Sequence, residues 1–171
     1  MVVGHAVDKE WSFEIKNLGL VRVSSSLLTR LRSYRQLTPN TPESGGVLIG
    51  MYLNSGGALL INELTPPQHT DKQGRHAYYR SKSHHNRVRE IWKKSKHHST
   101  YVGLWHSHPE PVPTYSPTDK TDWLNAINHS KYEGNKLFFF IVGQTHVRAW
   151  LGTNRLFGRK IEQVGEYKFN D

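Results

Sequence analysis

Residues 101–122, YVGLWHSHPEPVPTYSPTDKTD, constrain this chain more than any other stretch. An apolar run breaks at His106-Ser107-His108-Pro109, crosses a proline-rich loop and resumes as a helix start at Ser116-Pro117-Thr118-Asp119. In a strand, residues two apart share a face, about 6.5–7 Å from each other. His106 and His108 can therefore aim both imidazoles at one point. Asp119, 11 residues after His108, can bring an oxygen from the opposite side. Two nitrogens and one oxygen leave one tetrahedral position open, the donor pattern of a catalytic zinc site and not of a closed structural one. Each half also has an ordinary reading. An H-x-H pair recurs by chance, and Ser-Pro-x-Asp is a good helix N-terminus. Their conjunction is what points to chemistry.

Around this stretch the patterning is mixed. Residues 11–23 alternate as one or two opening strands, and Ser24-Ser25-Ser26 offers an N-cap to a helical stripe of Leu27, Leu28, Leu31 and Tyr34. The prolines within residues 38–42 end that helix. Glu43 and two glycines introduce a strand at 47–53. A turn at 54–57 and a strand at 58–64 complete a hairpin. Residues 66–74 read as polar loop, and 76–80 as a short strand. A second helix spans 83–97, with Val88, Ile91, Trp92 and Ser95 on one face. The central strand at 100–106 should bury Trp105 on the side away from His106. A third helix starts at Pro117 and turns Trp123, Ala126 and Ile127 inward. Strands follow at 136–142 and 146–151, with a final strand or helix around 161–169. The sum is a mixed α/β chain of about three helices and seven or eight strands sharing one core.

A length of 171 residues suits a single domain over 1–171. No window approaches a membrane span, and MVVGHAVDKEW lacks the basic start and apolar core of a secretory signal. Cysteine is absent, which excludes disulfides, thiol nucleophiles, Cys-ligated zinc and the Cys-pair zinc deaminases, and suits a cytoplasmic setting. The net charge of +9 invites a nucleic-acid reading. The cations are scattered, however, and the densest run, 87–96, falls on the outer face of the second helix. A solvated basic surface is preferred, ahead of an acidic protein partner and then nucleic acid.

The string H-S-H-P, six residues, then S-P-T-D fits H-x-H-x(7)-S-x-x-D, and an upstream Glu43-Ser44-Gly45-Gly46 precedes a strand. In these five positions the chain resembles the JAMM (JAB/MPN+) metalloproteases, over about residues 20–150. Within them it is most similar to the prokaryotic JAB proteases, including those of bacterial CBASS antiphage operons. The resemblance implies a curved mixed sheet flanked by helices, one Zn²⁺ held by His106, His108 and Asp119, and Glu43 as general base and acid. Ser116 would donate to the developing oxyanion. It further implies a protein substrate: a conjugate of a ubiquitin-like modifier, or a nucleotidyltransferase C-terminus joined to a target. A catalytically silent MPN scaffold and a nucleic-acid-associated JAB protein are the alternatives.

Further expectations attach to the neighbours. Asp119 should give up its capping role to the metal, because a carboxylate–Zn²⁺ bond outweighs one exposed hydrogen bond. Glu110 should face substrate or solvent. The pairs His84-His85 and His97-His98 should be exposed, while His69 and His76 flank the polar loop and can line a substrate channel.

Overall fold

The computed structural model describes residues 6–54 and 58–171. The turn expected at 54–57 lies mostly outside the described residues, as do the first five residues of the N-terminal stretch. In chain order the elements are β1 (Trp11–Ile15), β2 (Gly19–Val23), α1 (Ser25–Ser33), β3 (Gly45–Tyr52) and β4 (Leu59–Leu64). Next come β5 (Lys72–Gln73), β6 (Tyr78–Tyr79), α2 (Ser83–Lys94) and β7 (Thr100–Ser107). Then follow α3 (Pro117–His129), β8 (Lys136–Val142), β9 (His146–Arg155) and β10 (Gly158–Lys168).

Eight strands form one sheet in the order β1-β2-β4-β3-β7-β8-β9-β10, and β5 and β6 make a separate ribbon. Pairing is antiparallel except for β2 with β4 and β7 with β8. Strand β8 is covered on both sides, which is why its sequence is a continuous apolar run and not an alternation. Phe138, Phe140 and Val142 join the core beneath α1; Leu137, Phe139 and Ile141 join the one that includes Trp123 and Ile127 of α3. The sheet curls until its edges meet. The rings of Trp11 on β1 and Tyr167 on β10 lie 6.0 Å apart, and a Cβ on Gly165 would come within 2.6 Å of Trp11. This is the curved mixed sheet with three helices expected of the chain.

The departures are local. Helix α1, capped by the Ser24 hydroxyl on Leu27 N–H, stops at Ser33, ahead of the prolines held responsible. Helix α2 stops at Lys94 because Lys96 and His97 take left-handed conformations, with φ of 54° and 69°. That turn brings His97 onto the exposed face of Trp92, 3.8 Å between ring centroids, so Trp92 is not an inward residue. Strand β9 continues to Arg155, and the last segment is strand, not helix, paired with β9 along its length with one bulge near Gln163. Among the described residues no helix is long and apolar enough to cross a membrane.

Candidate metal centre

The site forms where β7 ends against the start of β3. Gly45 pairs with His106, and the sheet continues past β7 because His108 N–H donates to the Val142 carbonyl at 2.9 Å. This continuation keeps His106 and His108 on one face, while Trp105 turns into the opposite core and Ser107 into the backbone of β3. The Ser107 hydroxyl accepts Ser44 N–H at 2.9 Å and donates to Gln36 at 3.1 Å. The two glycines are required by close approach. A Cβ at Gly46 would lie 2.1 Å from the Thr65 carbonyl, and one at Gly45 would lie 2.5 Å from the Tyr78 ring.

Four side chains converge. His106 Nε2 and His108 Nε2 are 3.0 Å apart. Asp119 spans them, with Oδ1 3.1 Å from His106 Nε2 and Oδ2 3.3 Å from His108 Nε2. Glu43 Oε1 is 3.4 Å from His108 Nε2. Among the described residues, Glu43, His106 and His108 bring ligand atoms within 4.8 Å of one another, and all three are buried. Donors bound at 2.0–2.1 Å to a tetrahedral ion are separated by about 3.3 Å, so these spacings suit a zinc-sized cation. The donor chemistry agrees. His108 Nδ1 is 2.9 Å from Glu110 Oε1, a contact that orients the ring and, with the proton on Nδ1, leaves Nε2 available to a cation.

The electrostatics separate the two carboxylates. Burial pushes the Glu43 carboxyl up from 4.5 to about 7; the Asp119 charge adds to this and His108 opposes it. Burial also acts on Asp119, but hydrogen bonds from His106 and His108 outweigh it and hold that group well below the usual carboxylate range. Burial lowers His106. His108 is raised because its bonds to Asp119 and Glu110 overcome the effect of burial.

Ser116 and Asp119 also form a complete capping box on α3. Asp119 N–H donates to Ser116 Oγ at 3.1 Å, and Ser116 N–H donates to Asp119 Oδ2 at 2.6 Å. Capping and convergence on the histidines coexist in this structure: Oδ1 approaches His106, while Oδ2 approaches His108 and also accepts the Ser116 N–H. Ser116 caps with a lone pair, so its proton can still be donated. Ser116, Asp119, His106, His108 and Glu43 border one cleft of about 710 Å³, which is also lined by His76, Tyr78 and Arg80. His76 lines the cleft, and His69 is not among its lining residues.

Two neighbours make contacts the sequence does not show, and for His84 the expected exposure is corrected. Glu110 borders the cleft, as expected, and its carboxylate is also bonded to His108. Its position two residues after His108 was the available signal, since a second acid there can reach back to Nδ1. His84 is wholly buried, while its neighbour His85 is exposed. It lies between Asp71 and Thr65, at 2.8 and 2.6 Å, and no local pattern marked those partners.

Residues 24–152 match the family model for prokaryotic homologs of the JAB domain. The chain is 36% identical over 146 residues to a CD-NTase/cGAS isopeptidase of Vibrio cholerae, covering 85% of this chain and 88% of that one. It is 32% identical over 133 residues to a protein of the same description from Escherichia coli, covering 77% and 80%. With a third, from Pseudomonas aeruginosa, it shares 30% identity over 129 residues, covering 75% and 80%. The chain belongs to the prokaryotic JAB-domain family and, within it, to the family of the CD-NTase/cGAS isopeptidases.

Proposed function

We propose that residues 1–171 form one JAB-type zinc hydrolase that cleaves an isopeptide or peptide bond joining a CD-NTase, or a ubiquitin-like tail, to a second protein. One observation carries the reading: two imidazoles and two carboxylates from three separate parts of the chain meet at 3.0–3.4 Å. Asp119 touches both histidines and completes the ligand set; Glu43 touches one and is left for proton transfer. When bound, zinc would supply Lewis acidity and lower the pKa of a coordinated water toward about 7.

The remaining work belongs to side chains. Glu43, whose carboxylate lies 3.4 Å from His108 Nε2 and borders the cleft, is placed to accept a proton from the attacking water and return it to the leaving amine. Ser116 donates to the scissile carbonyl oxygen as negative charge develops there. An extended substrate tail can reach the cluster along β6, whose residues line the cleft and whose pairing among the described residues is with β5 alone.

The test is cleavage of a CD-NTase whose C-terminus is joined to a reporter protein, run beside ubiquitin-like fusions, with and without a chelator. The reading predicts release of the reporter, loss with chelator and recovery on adding zinc. Zinc-free protein that ignores added metal and leaves every fusion intact would favour the silent scaffold.

A further inference from the structure

We infer that Asp71 and His84, outside the ligand set, are positioning residues that hold Glu43 in place through the segment 66–82, an inference that rests on the role proposed for Glu43. The Asp71 side chain is fully covered. Its carboxylate accepts the N–H groups of Gln68 at 2.8 Å and Ser81 at 2.7 Å, and the Tyr78 hydroxyl at 2.6 Å. His84 Nε2 approaches it at 2.8 Å. On the other side of the ring, Thr65 Oγ1 lies 2.6 Å from His84 Nδ1 while accepting Val47 N–H at 2.8 Å. Because the Asp71 carboxylate can only accept, the neutral His84 ring carries its proton on Nε2, and Nδ1 accepts the Thr65 hydroxyl proton. One carboxylate thus gathers donors from both ends of the segment and ties them through His84 and Thr65 to Val47 of β3.

The gathered segment then grips the strand start that carries the proposed base. The one Tyr78 hydroxyl proton is shared between Asp71 and the Gly45 carbonyl 2.7 Å away, and the ring fills the space a Gly45 side chain would take. Glu43 N–H donates to the Gly74 carbonyl at 2.6 Å, and Gln73 Nε2 donates to the Glu43 carbonyl at 3.0 Å. Both backbone polar groups of Glu43 are thus held by residues inside the closed segment. A buried carboxylate–imidazole pair gains little stability over apolar packing of the same volume. What this one adds is a single register for the segment, and so a single placement for the Glu43 carboxyl.

The experiment compares Asp71→Asn, Glu43→Gln and the double variant. Zinc content, kcat and KM are measured, together with amide hydrogen exchange on the zinc-free protein. Asp71→Asn should retain its zinc and lose kcat on the order of 10²-fold, the effect of about 1 Å of misplacement, with KM nearly unchanged. In the Glu43→Gln background the same substitution should cost less than about threefold, because the two act through one group. The amides of Glu43 and Gly74 should exchange at least about tenfold faster while those of Phe139 and Ile141 keep their protection. Equal losses in both backgrounds, or an exchange increase spread over β8, would overturn the inference. Should Asp71→Asn fail to fold, Tyr78→Phe carries the same comparison with a loss of about tenfold. A wild-type protein that neither binds zinc nor cleaves sinks the functional reading instead; the exchange arm, run without metal, still decides whether Asp71 holds Glu43.

Discussion

Removing the Glu110 carboxylate should weaken zinc binding without touching a ligand. Its Oε1 is 2.9 Å from His108 Nδ1, a contact that orients the ring and, with the proton on Nδ1, leaves Nε2 available to the metal. A hydrogen bond involving a charged group contributes about 1.5–3 kcal/mol, which corresponds to roughly 10- to 150-fold in affinity. The Glu110 side chain is 40% exposed, so water screens the pair and the lower end applies. Glu110→Ala should then bind zinc about tenfold more weakly, within the range seen when outer partners of a ligating histidine are removed. Glu110→Gln keeps an acceptor but loses the charge, and should lose about threefold. Competition against a chelator of known affinity, with zinc-free protein at pH 7.5 or so, measures both. Wild-type affinity in the alanine variant would refute the claim that Glu110 orients His108.

Other outcomes follow from the same geometry. Glu43→Gln should retain zinc and lose about 10²- to 10⁴-fold in kcat. The same variant should change the pH dependence of stability in zinc-free protein. Glu43 titrates at 4.5 ordinarily and near 7 when folded, so the native state holds the extra proton between those values and wild-type stability falls as pH rises through that window. Each pKa unit is worth about 1.4 kcal/mol, so at pH 8 Glu43→Gln should be the more stable protein by up to about 3 kcal/mol, with the difference vanishing near pH 4; denaturant melts across that range would read it. Ser116→Ala should lower kcat by about 10²- to 10³-fold and, by removing the cap of α3, cost about 1 kcal/mol of stability. Gly46→Ala, whose Cβ would meet backbone at 2.1 Å, should destabilise by about 1–3 kcal/mol in thermal unfolding.

Much of this was legible because it is local. The apolar run of β8, the Ser24 and Ser116 caps and the two-residue spacing of His106 and His108 are short-range patterns, and each maps onto its element. Even the Gly-Gly pair after Glu43 announced a close approach, without naming Tyr78 and Thr65 as what approaches. What escaped was set by partners distant in sequence or by single backbone residues. His84 reads as a polar residue at a helix start; only the folding back of residues 66–82 delivers Asp71 to it. Trp92 fits the inward stripe of α2 until Lys96 and His97 reverse the chain and supply a ring to stack on. The Asp119 carboxylate caps α3 and meets both histidines at once, because the turn of α3 sets its two oxygens beside separate rings. The parallel pairing of β2 with β4 likewise has no signature in either strand alone.

X-ray absorption at the zinc edge, on protein purified without chelator, tests the central claim most directly. The account predicts one zinc per chain in a nitrogen and oxygen shell at about 2.0–2.1 Å with two imidazoles, and loss of the metal in His106→Ala and Asp119→Ala but not in Glu43→Gln. Protein that takes up no zinc, or that keeps an unchanged shell after His106 or Asp119 is replaced, would contradict it.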